Sequence, residues 1–566
     1  MNVKNVVLIL LFLTSLLSAR PLLLFFEGNN KLDDRNLYDA LGLYKPYFYE
    51  FWKDEPTVNP KTLKILATTI KNFYRMNGFF HSAVSYREDN ATVVILIKEN
   101  PPIVISDISV ISEHNITAQI PFHVGDIFNA EAFTQSKKDI KLHYANFGYC
   151  NADLDAKSWV DIETNYAYLL YEVTPNDLCY FGSITIATPQ SITPNVINSF
   201  LNFKEGDVYS PDRIRQSYNN LYGQEGIAKA IIDTKRKKIS TVPVDISITE
   251  YEDLMRFTGG GGFSSDEGVT LLAGIKHRNF FGNLKTISLD ARYTQIKQTL
   301  KGNFDMPLSN RNTFGAEASL ENEHFNGFKE RRLVETLYLK QNRVPHNYQE
   351  KLIFDHTRTY DSSNPQVFPD GTLFIISPKL QWNYDVRDKI LDPSRGYFLR
   401  TKFMGSVQSD ISDASYYKLL LSGGYIYPLE TSIAALRINV GSLRVYDGRI
   451  PASYRFYAGG MNSNRAYGYR QLGPKDVNGD PTGSDSIMET TLEYRFPISG
   501  NFRGILFNDN TFIGNSYHPD YDNGYYSAGV GIRYLTPIGP LAIDFGFDIS
   551  DPTQEFALHF HVGELF

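Results

Sequence analysis

The sequence predicts α+β repeats followed by a transmembrane antiparallel β-barrel of about sixteen strands, and three observations carry that reading. From Pro21 to about Glu252 the chain repeats one order of elements, strand, helices, then two strands, at about 75 residues per unit. From about Arg256 to Phe566 helical spacing disappears, and alternating segments of about ten residues follow one another, separated by Gly, Asn, Asp and Pro. After residue 19 no apolar run approaches the ~18 residues a spanning helix needs, so a membrane could be crossed only by a closed barrel.

A chain of 566 residues suggests about four units. With 42% hydrophobic and 14% aromatic residues it folds and buries surface. Its net charge of -7 and lack of a basic run give no footprint for nucleic acid, which is not an expected partner. Residues 1–19 pair Lys4 with the apolar run Val6 to Leu13 and end at Ser18-Ala19, the pattern of a secretory signal peptide. A single N-terminal anchor is the rival reading, but the run is short for one. Export makes Cys150 and Cys179 candidates for a disulfide, because a strand hairpin between them brings the two close together; two unpaired thiols are the alternative.

The repeats divide as 20–101, 102–178 and 179–252. The first runs from strand Leu22 to Glu27 through helical stretches Arg35 to Leu43 and Leu63 to Tyr74 to strands Ala83 to Tyr86 and Val93 to Ile97, with Asn77-Gly78 as the helix stop. The second places strand Val104 to Ile111, helix Glu131 to Tyr144, the stop Asn146-Phe147-Gly148, and strands near Ala152 to Trp159 and Tyr166 to Val173. The third places strand Gly182 to Ala187, helices Pro194 to Leu201 and Pro211 to Tyr222, the stop at Gly226, and strands Ala228 to Asp233 and Val242 to Thr249.

In the barrel region, 253–566, Ile287, Leu289, Ala291 and Tyr293 alternate with Thr286, Ser288, Asp290 and Arg292, and Tyr526, Val530, Ile532 and Tyr534 with Ser527, Gly529, Gly531 and Arg533. An apolar face ending in Tyr opposite a charged face fits lipid outside and water inside, although alternation alone also fits a two-sheet sandwich. In the last segment Phe556, Leu558, Phe560 and Val562 share a face and the sequence ends at Phe566.

Here the chain resembles a known family. The runs "YRMNGFFHSAVSY", "HYANFGYCNADLD" and "VVILIKENPP" look like polypeptide-transport-associated (POTRA) domains, which the resemblance implies receive unfolded substrate by offering a sheet edge; a spacer role is the alternative. The pair "GVGIRYLTPIGPLAIDFGFD", with its short turn Thr536 to Pro540, is similar to that of the BamA/TamA assembly family. Phe560, Val562 and Phe566 resemble the C-terminal β-signal of outer-membrane proteins.

Within the long connection Tyr446 to Ser486, "AGGMNSNRAYGYRQLGP" resembles the family's loop motif, which implies Arg465 as the motif arginine, Tyr467 as its aromatic, and Phe507 and Asp509 as its lumen partners. Ala466 stands where the family usually has Gly, which puts a close backbone approach or a positive φ there in doubt. In "WNYDVRDKILDPSRGYFLR" the residues Arg387, Asp388, Asp392, Pro393 and Gly396 match a family pattern, with Pro and Gly shaping a turn. Gly259, Gly260, Gly261 and Gly262 fall in the first barrel strand, where they either loosen the seam with the last strand or make room for the inward-folded loop.

No His-Glu-x-x-His, Cys-x-x-Cys, Gly-x-Ser-x-Gly or phosphate-loop run is present, so an enzyme and a cofactor are not expected. Asp476 to Asp480 resembles the start of a calcium loop, but Pro481 and Ile487 break the pattern, and no metal is expected. His559 and His561 read as ordinary barrel side chains. The resemblance implies an outer-membrane insertion factor of the TamA type that takes unfolded outer-membrane protein clients and works with a TamB-like inner-membrane-anchored partner in the lipid bilayer. The alternatives are a two-partner secretion transporter moving one dedicated client, and a passive porin.

Overall fold

The computed structural model describes residues 21–46, 53–234, 239–536, 539–552 and 555–562. The expected signal peptide, Phe566, and Pro537 and Ile538 of the short turn lie outside the described residues.

The first module comprises β1 (Leu22–Glu27), α1 (Asp34–Ala40), β2 (Thr57–Val58), α2 (Leu63–Met76), β3 (Ala83–Asp89) and β4 (Thr92–Lys98). Its sheet runs β2-β1-β4-β3, with β1 parallel to β4 because the intervening chain crosses over through helices. Leu24, Leu37, Ile70, Tyr74, Val93 and Ile95 form its core. The two-residue β2 adds a strand that the alternation is too short to reveal.

The second module, β5 (Val104–Ile111), α3 (Ala130–Asn146), β6 (Asp153–Asp161) and β7 (Tyr166–Thr174), has sheet order β5-β7-β6. The third, β8 (Tyr180–Ala187), α4 (Pro194–Ser199), α5 (Pro211–Tyr222), β9 (Ile227–Thr234) and β10 (Thr241–Glu250), has order β8-β10-β9.

One backbone device ends every module. The carbonyl after each helix stop accepts from the residue that opens the next segment: Gly78 from Ile103 at 2.8 Å, Gly148 from Cys179 at 2.7 Å and Gly226 from Tyr251 at 3.2 Å. The first two joints add a side-chain clasp, with Asn129 Nδ2 donating to Asn77 Oδ1 at 3.0 Å and Ser210 Oγ donating to Asn146 Oδ1 at 2.9 Å. At the second joint Cys150 and Cys179 form a disulfide with Cα atoms 5.8 Å apart, so a covalent bond reinforces that hinge.

The rest of the chain is one sheet of sixteen antiparallel strands in sequence order. It opens with β11 (Met255–Ser264), β12 (Gly268–His277), β13 (Thr286–Tyr293), β14 (Lys297–Pro307) and β15 (Asn312–Phe325). It continues with β16 (Phe328–Arg343), β17 (His346–Tyr360), β18 (Gly371–Asp385), β19 (Gly396–Ser406), β20 (Ala414–Pro428) and β21 (Ile433–Gly448). After a long connection come β22 (Ser486–Ser499), β23 (Phe502–Gly514), β24 (Gly524–Tyr534), β25 (Leu541–Asp548) and β26 (Phe556–Val562). The even count puts the chain's entry and exit at the same, proximal end.

The sheet curls until β11 and β26 approach within 8 Å, yet among the described residues no hydrogen-bonded ladder joins them. Val530, Ile532 and Tyr534 of β24 are exposed on the outer wall whereas Ser527 and Arg533 are buried toward the lumen, and Phe556, Leu558, Phe560 and Val562 of β26 continue the apolar outer band. A sandwich would bury that apolar face; a barrel exposes it to lipid.

Candidate functional site: a loop locked into the barrel lumen

By strand count the connection 449–485 leaves the distal end, and it then folds back into the barrel. Apolar packing seats it: Tyr454, Phe456, Ala458 and Leu472 cluster with the inward residues Ile375, Tyr416, Leu443 and Ile513. Polar ties then fix it around the wall. Tyr454 Oη donates to Asp355 on β17 at 2.6 Å, Arg470 pairs with Glu323 on β15 at 2.6 Å, and Lys418 on β20 donates to the Tyr454 carbonyl at 2.6 Å.

The centre of the site is Arg465, fully buried. Its Nε and Nη2 donate to the two oxygens of Asp509 at 2.8 and 2.9 Å, a two-pronged geometry that lysine cannot copy. Nη1 reaches Glu493 at 2.8 Å and Asp544 at 3.2 Å, and the guanidinium carbon lies 3.4 Å from the ring centroid of Phe507. Arg495 binds Glu493 at 2.9 Å, while Arg533 Nη2 donates to Asp544 at 3.0 Å. The wall β22–β25 and the loop thus assemble three guanidiniums against three carboxylates, none more than 2% exposed at the side chain. Each charge is compensated, and removing one partner from such a cluster costs about 3–5 kcal/mol.

Ala466 is 1% exposed and is not among the positive-φ residues, so no glycine is needed at that position. The close approach is accommodated on the wall strand facing the loop instead: a Cβ on Gly546 of β25 would lie 2.3 Å from the Arg465 carbonyl oxygen. Tyr467 donates its hydroxyl to Asp548 at the end of the same strand.

The two histidines correct the expectation that they are ordinary barrel side chains. His559 Nε2 lies 3.2 Å from the Arg465 carbonyl, which can only accept, so the hydrogen bond runs from the ring to the loop backbone. Its Nδ1 is 3.0 Å from Ser265 Oγ and 3.3 Å from Asp266, both in the turn after β11. Asp266 also accepts from the Met461 backbone at 2.9 Å. His561 Nε2 meets Asp544 at 3.2 Å. The last strand, the first hairpin and the loop therefore share one polar latch.

At the seam itself the glycines have open surroundings. A Cβ at Gly260 or Gly261 would come no closer than 3.7 Å to another atom, and at Gly262 nothing stands within 4 Å. No heavy atom of the loop stands within 4 Å of a Cβ built at any of the four. Beside them the lumen is open: a cavity of about 770 Å³ is lined by Gly259, Gly260, Asp290, Arg292, Lys301 and Glu317, among others.

The matched turn between β18 and β19 lies at the proximal end. Arg387 clamps Asp385 at 2.9 and 2.6 Å, and Asp392 accepts from Arg503 at 2.7 Å. Pro393 is buried, and Gly396 takes φ +110, where a Cβ would lie 2.4 Å from the Val386 carbonyl oxygen. Burial pushes the Asp388 carboxyl upward, but donation from the Ser394 hydroxyl and from the backbone of Ser394, Arg395 and Lys389 outweighs it and holds the group at about 2.

Residues 265–566 match the family model described as the Omp85 superfamily domain. The chain belongs to the Omp85 superfamily. Residues 24–100, 102–176 and 179–251 each match the POTRA model, described as a surface antigen variable number repeat. The chain is 21% identical to the outer membrane protein assembly factor BamA of Nitratidesulfovibrio vulgaris, covering 93% of this chain and 70% of that one. It is also 21% identical to the BamA of Neisseria meningitidis serogroup B, covering 96% and 77%. In fold it is similar to the crystal structure of BamA from Haemophilus ducreyi lacking POTRA domains 1–3, with TM-score 0.64, 17% identity, and 81% and 99% of the two chains covered.

For this Omp85 barrel, reading the sequence located Arg465, Tyr467, Phe507 and Asp509 but missed Glu493, Arg495, Asp544, Asp548 and His559. The available signal was charge on the lumen face of alternating strands: Glu493 and Arg495 stand two apart in "TLEYRF", and Asp544 stands between apolar Ile543 and Phe545.

Proposed function

We propose that this protein is an outer-membrane assembly factor, with POTRA domains in the periplasm and the barrel in the outer membrane, that inserts unfolded outer-membrane proteins without enzymatic chemistry. The observation that carries the reading is the asymmetry of the barrel: its lumen is occupied by a loop locked through Arg465, which a conducting pore would not need, while among the described residues the β11 edge is left without a ladder to β26. An unpaired strand edge is a template for another strand, so a client hairpin is added at β11 and released laterally into lipid. The Arg465 lock and its partners hold the rest of the cylinder rigid while that edge exchanges. Phe560, Val562 and Phe566 form the terminal signal, and the turn from Arg387 to Gly396 braces the proximal rim.

In this reading the three POTRA domains deliver the client, and the role is of the TamA type, with a TamB-like inner-membrane-anchored partner. Cysteines placed along β11 and β26 in a Cys150→Ala/Cys179→Ala background test the seam. Oxidising them shut is expected to stop client insertion into liposomes and reduction to restore it; unchanged insertion with the seam cross-linked would refute templating. Loss of the TamB-like partner that leaves the outer-membrane proteome unaltered would count against the TamA-type role.

A further inference from the structure

Neighbouring strands hold a second feature, on the outer wall. The registers align one rung across five strands near the distal end: Gln298 opposite Asn322, Asn322 opposite Arg331, Arg331 opposite Arg358, and Arg358 opposite Thr372. The direction these side chains take follows from their neighbours: Arg332 faces the lumen, where it pairs with Asp355, so Arg331 faces outward, and Asp355 and Thr357 point inward, so Arg358 faces outward as well.

Two arginines thus stand directly opposite each other on adjacent strands, an arrangement that repels unless an anion lies between them. Among the described residues neither has a carboxylate within 4.0 Å. Arg331 only lies over the Tyr360 ring, at 5.2 Å. The rung just toward the proximal side is apolar: Ala291, Leu300, Leu320 and Leu333 are aligned in register. Together with Leu271 and Ala273 they line a depression of about 810 Å³ whose rim includes both arginines.

We infer that Arg331 and Arg358 bind the phosphate of an anionic lipid in the distal leaflet, with one acyl chain lying in the depression below. A guanidinium pair matches phosphate oxygens with parallel charge-assisted bonds, and lipid is the one phosphate source that also offers a chain to the apolar slot. The inference rests on the barrel reading above. The arginines lie on β16 and β17, and the apolar slot below them runs back to Leu271 and Ala273 of β12, the strand paired with β11.

The test is native mass spectrometry of the delipidated full chain in detergent, titrated with phosphatidylglycerol or with zwitterionic phosphatidylcholine. The wild-type chain is expected to favour phosphatidylglycerol by at least about tenfold, the size of one lost charge-assisted contact. Arg331→Gln/Arg358→Gln is expected to erase the preference, each single change to reduce it, and Ala291→Trp to weaken binding by filling the slot. Arg444→Gln, a lone cation elsewhere on the distal rim, is expected to leave it intact, and inorganic phosphate not to displace the lipid. Unheated gel mobility shows which variants have folded. An unchanged preference in the double variant, an equal loss in Arg444→Gln, or displacement by inorganic phosphate would overturn the site. A wild-type chain that stays soluble without detergent would instead overturn the barrel reading.

Discussion

The two ends of the same sheet are built on opposite plans. The wall β22–β25 turns charged side chains inward and buries them against the loop, so its strands are tied together by ladder bonds and by ion pairs through Arg465 and Arg533. The strand β11 is exposed along nearly its whole length, carries four consecutive glycines, and among the described residues has a ladder on one side only. Both belong to one sheet, and the difference lies in edge pairing and in the side chains each strand carries. On the proposed function, rigidity is concentrated where the loop is anchored and pairing is weak where a client strand enters.

The largest expected effect is at the anchored wall. Arg465→Leu strands Asp509, Glu493 and Asp544 in the lumen and is expected to cost about 3–5 kcal/mol, read as a lower midpoint of unfolding in detergent; Arg465→Lys recovers only part of this because the fork is lost. Glycine substitution sharpens the contrast. Gly546→Val drives a side chain into the Arg465 carbonyl and is expected to cost about 1–3 kcal/mol, whereas Gly260→Val meets no backbone and is expected to change unfolding by no more than about 0.5 kcal/mol while slowing client insertion. If both variants behave alike, the two regions are not different in kind.

His559→Ala removes the latch between the last strand, the first hairpin and the loop, and is expected to cost about 1 kcal/mol and to raise seam accessibility to a thiol probe placed on β26. The smallest effect is in the proximal turn. The Asp388 carboxyl sits at about 2 when folded, against an ordinary 3.8, so its contribution is complete above pH 4 and is lost as the pH falls toward 2. Proteolytic nicking of that turn is expected to rise over this window in the wild type and to be pH-independent in Asp388→Asn.

Much of this was legible in the sequence because period decides it. Alternation in Tyr526 to Tyr534 reports both the strand and its two solvents, and the helix stops at Gly78, Gly148 and Gly226 mark the repeats. Arg465 and Asp509 could be paired only through motif resemblance, since 44 residues separate them. What stayed hidden depended on facts no local pattern carries. Which lumen charges meet depends on where the loop descends, so Glu493 and Asp544 looked like any inward polar residues. His559 gains its role from the return of β26 to the first hairpin, which is a closure property of the whole sheet. Gly546 is one glycine that makes room for the loop, because close approach is set by the wall to which the loop is anchored.

The measurement that most directly tests the central claim is amide hydrogen exchange on the full chain in a lipid nanodisc. Amides of β11 and β26 are expected to exchange at least about a hundredfold faster than those of β22 and β23, as an edge that opens locally beside a locked wall would. Equal protection along all four strands would contradict it, because the barrel would then have no weak seam.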